Sequence, residues 1–419
     1  MDFADILSQL PAPALRRIAI RVSKPAERAL RAGHPWLFDQ AIQEQSCAGR
    51  PGDLAVIFDE KRRFLAIGLY DPTSPIRVRV LQARVPAAIN REWFTARLTD
   101  AARLRNPLLE QPAGRVTNGY RLVHGENDGL PGLVVDRYAD TLALKLYTPA
   151  WIPHLREICP ALEQLGLAER MILRLSRSLL QQPDLLFGLS DGLILAGPPL
   201  AEPILFQENG LVFESDPVQG QKTGFFLDQR ENRARVELLS KDKSVLNVFA
   251  YTGGFSVYAA RGAARRVTSV DISPPAMQAA LRNMQHNHHI PTVAAAAHEA
   301  RAQDAFALLA QFAAEKQRFD LVILDPPMFA HNHAQTALAL SAYRRLTRLG
   351  LAVLQPGGIL VQASCSSQVE PEAFFGAIHQ AAQESNRPLR EIERTGHALD
   401  HPVRYKEGSY LKCLFALAA

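Results

Sequence analysis

The sequence predicts a multidomain α/β protein, and three observations support that fold class. The chain has 419 residues, 47% of them hydrophobic and 21% charged, which is enough apolar material for two or three domain cores. From about residue 218 onward, apolar strand-like runs alternate with helical segments, the rhythm of a parallel sheet covered by helices on both faces. Earlier in the chain, short strands and turns dominate. We therefore expect a doubly wound C-terminal domain preceded by smaller, strand-rich modules.

The N-terminal part of the chain predicts a small basic module. Residues 1–16 look like an extension, and residues 17–88 contain the strand-like runs IAIRV, AVIF, FLAIGLY and IRVRVL between tight turns, as in a β-barrel-like domain. Residues 1–88 carry thirteen Lys/Arg against nine Asp/Glu, a balance of +4 within a total of +5. This charge points weakly to nucleic acid, and a solvated basic face without a partner explains it about as well.

The middle of the chain, residues 89–217, predicts an α+β domain. Helical spacing in VPAAINREWFTARLTDAARLR precedes strands such as GLVVDRY and TLALKLYT, and the turn NDGLPG interrupts the block. Residues 218–419 are then the doubly wound domain.

Several classes of protein are not favoured. The four cysteines (Cys47, Cys159, Cys365 and Cys413) include no CxxC pair, which argues against a zinc ribbon or a disulfide scaffold and for a reducing cytoplasm. No apolar run is long enough to span a membrane, and the N-terminus does not resemble a secretory signal. No metal site is predicted, because the histidines at 286, 288, 289, 331 and 333 lack suitably spaced carboxylates.

Polar residues and glycines follow the predicted strands of the C-terminal domain, where the ligand of a doubly wound sheet binds. Gly253 and Gly254 form a strand-to-helix turn in NVFAYTGGFS, without the GxGxxG pattern that binds pyrophosphate. Asp271 closes the next strand, where an acid accepts hydrogen bonds from a ribose diol, and Asp304 opens a later helix. Helix N-capping is the alternative role for both acids.

The most specific of these features is Asp325-Pro326-Pro327, directly after the apolar strand DLVIL. The two prolines fix φ and remove two backbone donors, which leaves the Asp325 carboxylate and the Pro326 carbonyl in a stiff loop. Together with the glycine turn and the two acids, this loop favours an S-adenosylmethionine-dependent methyltransferase over a dehydrogenase.

At these residues the chain resembles the RlmI-type ribosomal RNA (cytosine-5) methyltransferases. The resemblance covers about residues 17–419, and its motifs are GHPWLF (33–38), HGENDGLPGLVVDRY (124–138), GQKTGFFLDQRENR (220–233), NVFAYTGGFSVYAA (247–260), SVDIS (269–273), LDPPMF (324–329), QASCSS (362–367) and DHPV…EGSYLK (400–412). It implies an N-terminal PUA domain, a central α+β domain and a C-terminal Rossmann-like class I methyltransferase domain. It also suggests a homodimer.

The resemblance implies a set of residues around S-adenosylmethionine. These cofactor residues are Gln229, Arg230, Phe249, Thr252, Gly253, Gly254, Asp271, Ile272, Asn287, Asp304 and Asp325. Asp271 would hold the ribose, Ile272 would flank the adenine and Asp304 would meet the adenine amine. The family often has Lys after DPP, whereas this chain has Met328, so the site must either work without that charge or take it from elsewhere.

Cys365 decides between two interpretations of the chemistry. Because Cys365 lies just after the apolar run GGILVQA, the first interpretation is that its thiol is simply packed in the core. Cytosine C5, however, attacks a sulfonium methyl poorly until a thiolate adds to C6, which is covalent catalysis. We therefore predict Cys365 as the nucleophile, Asp325 as a hydrogen-bonding partner of the cytosine ring with a part in proton transfer, and the Pro326 carbonyl as a contact to the base edge. Ser364 and Ser366 would help to hold the thiolate.

The N-terminal module is predicted to bind ribosomal RNA phosphates, which position the substrate without reading its sequence. The residues predicted to do so are Arg21, Lys24, Arg28, Arg31, Arg77 and Arg79. Two further hypotheses stay open: methylation of a purine nitrogen with Cys365 structural, and a catalytically weak RNA-binding ribosome assembly factor. An NAD-dependent oxidoreductase lacks its glycine fingerprint.

Overall fold

The computed structural model describes residues 3–112, 114–218, 220, 222–330 and 332–419. The chain divides into two compact units. The first comprises Met1–Asn209, Ser215–Phe225 and Leu399–Tyr405, and the second comprises Gly210–Glu214, Phe226–Ala398 and Lys406–Ala419. The N-terminal module and the central block, predicted as separate domains, therefore belong to one compact unit.

The first unit opens with helix α1 (Phe3–Gln9) and a six-stranded sheet. Its elements are β1 (Ile18–Val22), α2 (Lys24–Arg31), β2 (Trp36–Phe38), β3 (Ile42–Gln45), β4 (Leu54–Phe58), β5 (Phe64–Tyr70) and β6 (Ile76–Ala83), in the sheet order β2-β6-β5-β4-β1-β3. Residues alternate along β1, where Ile18, Ile20 and Val22 point into the core and Ala19 is exposed. This alternation is what a strand with one solvated face requires.

The same unit contains a second sheet with helices. Its elements are α3 (Arg91–Leu104), α4 (Asn106–Leu109), β7 (Gly119–His124), β8 (Leu133–Tyr138), β9 (Thr141–Leu146), α5 (Leu155–Glu163), β10 (Arg170–Leu175), α6 (Arg177–Leu180) and β11 (Ile194–Ala196), with the sheet order β11-β10-β9-β8-β7. Strand β12 (Ile204–Glu208) follows in the chain and is not part of this sheet. Asn90 caps the N-terminus of helix α3, where its side chain accepts from the Trp93 N–H.

Residues 1–16, predicted as an extension, contribute to the core of this unit. Ile6 and Leu10 are buried among its apolar residues. The Arg156 guanidinium donates to the carbonyls of Ser8 and Leu10. The sequence did not predict this packing, because a short apolar helix is recognised as part of a core only when the surface against which it packs is known.

The second unit is the doubly wound domain. Its elements are β13 (Leu211–Ser215), α7 (Arg230–Leu239), β14 (Ser244–Val248), α8 (Gly254–Arg261), β15 (Arg266–Asp271), α9 (Pro274–His286), α10 (Pro291–Ala295), β16 (Ala297–Ala302), α11 (Ala305–Ala314), β17 (Phe319–Leu324), α12 (Thr336–Ala352), β18 (Leu354–Ser364), α13 (Pro371–Glu384), β19 (Leu389–Thr395) and β20 (Lys412–Ala418). The main sheet has the order β16-β15-β14-β17-β18-β20-β19.

This arrangement confirms the predicted α/β fold class and refines it. Strands β14 to β18 are parallel, as the alternation of strands and helices predicts. The last two strands are antiparallel: β20 pairs with β18, and β19 pairs with β20. An antiparallel edge is common on an otherwise parallel sheet. Within the described parts of the chain, no helix is both long and apolar enough to cross a membrane.

Candidate active site

The candidate site lies at the carboxyl ends of the parallel strands. Strands β14, β15, β16, β17 and β18 all run in the same direction, so they all end at one edge of the sheet. The chain order reverses between β14 and β17, which are neighbours in the sheet but not in sequence. Such a reversal opens a crevice where doubly wound folds bind their ligands.

The loop after β14 has an unusual backbone. Phe249, Tyr251 and Gly253 all have positive φ, at 61°, 47° and 78°. At Gly253 an added Cβ would lie 2.9 Å from the Cβ of Ala280, so only glycine fits without a shift. Backbone strain of this kind gathers at ligand sites. The predicted glycine turn is therefore present, and it is tightly packed against α9.

Asp271, at the end of β15, organises this loop. One carboxylate oxygen accepts from the Tyr251 N–H at 2.9 Å, and the other accepts from the Ser273 N–H at 3.0 Å. A carboxylate oxygen has two acceptor sites, so both oxygens keep capacity for a further donor. The next residue, Ile272, is 73% exposed. An acid beside an exposed apolar side chain suits a ribose with its attached base.

Thr252 provides a test of whether the loop fits a bound cofactor. It is only 7% exposed, and its hydroxyl oxygen has no hydrogen-bond partner among the residues that the structure describes. Its carbonyl is held by the Asn283 side-chain amide at 2.8 Å. A buried hydroxyl without a partner costs about 1–3 kcal/mol. A polar ligand at this edge of the sheet would remove that cost, so the residues fit the predicted cofactor.

Asp304 and Asn287 have structural contacts of their own. Asp304 is exposed and caps α11 by accepting from the Ala307 N–H at 2.9 Å, which leaves its second carboxylate oxygen for a ligand. Asn287 is buried, and its amide donates to the carbonyls of Val212 and Asn283 and accepts from the Val212 N–H. Since both of its amide hydrogens are used, Asn287 fixes strand β13, and we leave it out of the cofactor set proposed below.

The segment before α7 meets the DPP loop. Gln229 is buried and donates to the Asp325 carboxylate at 3.0 Å, while its own carbonyl oxygen accepts from the Asn232 amide at 2.6 Å. The neighbouring Arg230 is also buried, and it pairs with Glu231 at 3.0 Å. The sequence predicted Gln229, Arg230 and Asp325 at one site, and Gln229 and Asp325 are in direct contact.

The cysteine loop lies on the strand next to the DPP strand. In the parallel pair β17–β18, Leu324 stands opposite Gln362, so Asp325 and Cys365 both lie just beyond the ends of neighbouring strands. Pro326 is buried, Pro327 and Met328 are exposed, and Cys365 is half-buried. The predicted adjacency of the two loops is therefore present.

Hydrogen bonds fix the residues on either side of Cys365. The Ser364 hydroxyl pairs with the Tyr343 hydroxyl at 2.8 Å. The Ser366 hydroxyl donates to the Ala330 carbonyl at 3.0 Å, which ties the cysteine loop to the segment after DPP. Both serines therefore hold the loop in place, and burial raises the pKa of Tyr343, which keeps that phenol neutral.

Sequence reasoning missed Lys412, the first residue of β20. It stands opposite Ser364 and donates to the carbonyls of Ser366 and Val369. The quoted motif EGSYLK contained this residue, but one strand-terminal lysine in a sequence gives no sign of which loop it will reach. The structure shows that it reaches the cysteine loop.

The basic residues of the N-terminal module differ in whether their side chains are accessible to RNA. Arg21, Lys24, Arg31 and Arg77 each lie within 4 Å of an acidic side chain, in pairs that are partly or largely exposed. Arg28 is exposed on α2. Arg79 is only 7% exposed, pairs with Asp71 at 3.5 Å and donates to the Ile76 carbonyl. Because Arg79 is committed inside the unit, we leave it out of the proposed RNA surface.

The histidine-rich segments have ordinary surroundings. His286 faces Glu214 at 3.8 Å, and His289 contacts the His286 carbonyl. His331 lies outside the described residues. In the described ranges, no group of three or more His, Cys, Asp or Glu side chains is arranged to hold a metal ion.

Comparison with known proteins identifies the family. Residues 120–408 match the model of the S-adenosylmethionine-dependent methyltransferase family, and residues 20–83 match a PUA-like domain. A ribosomal RNA large subunit methyltransferase of Deinococcus radiodurans is 47% identical over 97% of this chain and 98% of its own length. The ribosomal RNA large subunit methyltransferase I of Pseudoalteromonas translucida is 37% identical over 94% of this chain and 98% of its own.

Solved structures agree on the fold. A methyltransferase crystallised with SAH is similar with a TM-score of 0.79, at 22% identity, over 95% of this chain and 99% of that one. A SAM-dependent methyltransferase from Streptococcus mutans gives a TM-score of 0.78. Given the family match over most of the chain and the full-length relatives, this chain belongs to the RlmI family of S-adenosylmethionine-dependent methyltransferases.

Proposed function

We propose that this protein methylates C5 of a cytosine in large-subunit ribosomal RNA, with Cys365 as a covalent nucleophile. The observation that carries the proposal is the placement of Cys365 and Asp325 beyond the ends of the neighbouring strands β18 and β17. That edge of the sheet also carries the glycine turn and Asp271, which organise the predicted cofactor loop.

The cofactor supplies an electrophilic methyl group on a sulfonium. We propose that Asp271 accepts from its ribose, that the Thr252 hydroxyl gains the partner it lacks in the chain, and that Ile272 covers one face of the adenine. Phe249, Gly253 and Gly254 would line the methionine side, with Gln229 and Arg230 closing over it. The free oxygen of Asp304 would accept from the adenine amine.

The proposed covalent step concerns the cytosine ring. The Cys365 thiolate adds to C6, a carbon–sulfur bond forms, and the electrons of the C5–C6 double bond become available at C5. C5 would then bond to the methyl group as the carbon–sulfur bond of the sulfonium breaks, which leaves S-adenosylhomocysteine. The C5 proton is removed, the double bond re-forms and the thiolate leaves. Asp325 would hydrogen-bond the ring and take part in the proton transfer, and the Pro326 carbonyl would contact the base edge.

The substrate follows from the relatives and from the N-terminal charge. Ribosomal RNA of the large subunit is named in both full-length relatives. Exposed or half-buried basic residues of the PUA-like domain would bind phosphates: Arg21, Lys24, Arg28, Arg31 and Arg77. The target cytosine must leave its stack to meet a nucleophile. We further propose a cytoplasmic location, consistent with four cysteines that form no disulfide with one another, and a homodimer, which sedimentation would test.

The test identifies the methylated nucleoside. The protein is incubated with labelled S-adenosylmethionine and unmodified large-subunit ribosomal RNA, and the product is digested to nucleosides. We expect the label in 5-methylcytidine for the unaltered protein and no label for Cys365→Ala. Label in a purine would support the purine-nitrogen hypothesis, and tight RNA binding without label would support the assembly factor.

A further inference from the structure

The side chain of Lys412 is a buried ammonium beside the cysteine loop. The residue is 4% exposed, and its Nζ donates to the carbonyls of Ser366 and Val369. Ser366 directly follows Cys365, and Lys412 itself stands opposite Ser364 across β18 and β20. The positive charge is thereby fixed next to the segment that carries the thiol.

No carboxylate of the described chain lies within ion-pair distance of Lys412. The nearest acid in sequence to this loop, Glu370, is exposed and pairs with Lys406 at 3.0 Å. Carbonyl oxygens solvate an ammonium but do not neutralise it, and a buried charge is normally paired with an opposite charge. The fold thus holds this buried ammonium on carbonyl oxygens, with no carboxylate of the described residues in direct contact with it.

Four ionisable side chains of the described chain lie on elements that border the cysteine loop. Asp325 follows β17, Tyr343 lies on α12, Glu370 precedes α13, and Lys412 begins β20. Of these, Tyr343 is kept neutral because burial raises its pKa. Asp325 and Glu370 are negative and oppose a thiolate, so Lys412 is the cation among these groups that favours one.

We propose that Lys412 is a positioning residue that stabilises the Cys365 thiolate electrostatically while holding the cysteine loop through Ser366 and Val369. This inference rests on the proposed nucleophilic role of Cys365.

The pKa of Lys412 sets the pH range over which it carries a positive charge. Burial lowers the pKa of Lys412 to about 8, while the nearby Cys365 and Glu370 charges act in the opposite direction. Lys412 is therefore charged at neutral pH, where a thiolate is needed for attack. A positive charge close to a thiol lowers the pH at which the thiol ionises.

The test measures the ionisation of Cys365 in the cofactor-free, RNA-free protein. Iodoacetamide alkylation is followed at the Cys365 peptide by mass spectrometry from pH 5 to 10, which separates it from Cys47 and from the buried Cys159 and Cys413. Lys412→Gln keeps a hydrogen-bond donor but removes the charge, and Lys412→Arg keeps the charge. Tyr343→Phe is the matched control, since it loosens the same loop without changing its charge.

We expect Lys412→Gln to reduce the alkylation rate at pH 7 by about tenfold, as the ionisation midpoint moves to higher pH. Its rate at high pH should equal or exceed that of the unaltered protein, because a thiolate of higher pKa is the better nucleophile. Lys412→Arg should retain most of the unaltered midpoint, and Tyr343→Phe should retain all of it.

If Lys412→Gln left the ionisation midpoint of Cys365 unchanged, the inference would be overturned. It would also be overturned if Lys412→Arg shifted that midpoint as far as Lys412→Gln does. Circular dichroism and binding of S-adenosylhomocysteine verify that each variant is folded. The outcome is separate from that of the proposed function: full methylation by Cys365→Ala would remove the nucleophile, whereas the thiol titration would still report the coupling to Lys412.

Discussion

The hydroxyl of Thr252 and the ammonium of Lys412 show how single residues mark the site. Each is a buried polar group whose surroundings in the chain leave it incompletely compensated. A folded protein keeps such a destabilising group where a ligand or a reacting group supplies the missing interaction. Such residues cannot be found from sequence, since neither Thr nor Lys is unusual until its surroundings are known.

The Thr252 hydroxyl gives a prediction about cofactor affinity. Thr252→Val should weaken binding of S-adenosylhomocysteine about three- to tenfold, because a hydrogen bond of about 0.5–1.5 kcal/mol is lost. Calorimetric titration measures the change. Thr268→Val is the matched control, since its hydroxyl is also buried without a described partner but lies within β15. Equal weakening in both variants would contradict a specific role for Thr252.

At the scale of elements, much of the C-terminal domain could be predicted and some could not. The alternation of apolar strands and helices predicts the parallel strands, and the glycine turn and DPP loop predict which strand ends form the site. The antiparallel pairing of β20 with β18 and β19 was not predicted, because parallel and antiparallel strands near a sheet edge have similar apolar patterns. For the same reason Lys412 could not be brought to Cys365 from the sequence alone.

Gly253 tests the packing between the glycine turn and α9. Gly253→Ala introduces a Cβ at a φ of 78° and 2.9 Å from the Cβ of Ala280, so it should destabilise the fold by about 1–3 kcal/mol and weaken cofactor binding. Urea unfolding measures the loss. Gly376→Ala on α13 has open space around its added Cβ and should be neutral or stabilising by up to about 1 kcal/mol. A neutral Gly253→Ala would contradict the described turn.

His298 on β16 gives the domain an acid-sensitive point. Burial lowers its pKa from 6.5 to about 4, and its ring contacts the Ser269 hydroxyl at 2.9 Å. The unfolded chain therefore takes up a proton before the folded one, and stability falls as the pH drops from 6.5 toward 4.

The pH dependence of unfolding tests this effect of His298. Between pH 7.5 and 5, His298→Gln should lose less of its free energy of unfolding than the unaltered protein, by about 1–2 kcal/mol. Urea unfolding at the two pH values measures the difference. Identical pH dependence of the two proteins would show that His298 titrates normally in the folded state.

At the scale of the whole molecule, the sequence predicts a basic N-terminal module, and residues 20–83 match a PUA-like domain. The structure changes which basic residues can bind RNA phosphates. Arg79 is buried, and several other basic side chains are paired with acids. Net charge alone could not reveal this, because it counts paired and unpaired groups alike.

RNA binding by this module should depend on its exposed charges. Lys24→Glu with Arg28→Glu should weaken binding to large-subunit ribosomal RNA about tenfold or more and reduce the salt dependence of the affinity, with no change in S-adenosylhomocysteine affinity. Filter binding at several salt concentrations measures the effect. Arg103→Glu, an exposed cation at the end of α3, is the control and should have a smaller effect. If Arg103→Glu lost as much RNA affinity as the Lys24→Glu, Arg28→Glu variant, RNA binding would not be localised to the N-terminal module.

The central claim is that Cys365 forms a covalent bond to C6 of the target cytosine. Ribosomal RNA transcribed with 5-fluorocytidine tests it most directly, because fluorine at C5 cannot leave as a proton and the thiolate adduct cannot be released after methylation. We predict a stable protein–RNA complex whose cross-linked peptide contains Cys365, formed only with S-adenosylmethionine and absent in Cys365→Ala. Efficient methylation of ordinary RNA without any adduct on the fluorinated RNA, or an adduct at another residue, would contradict the account.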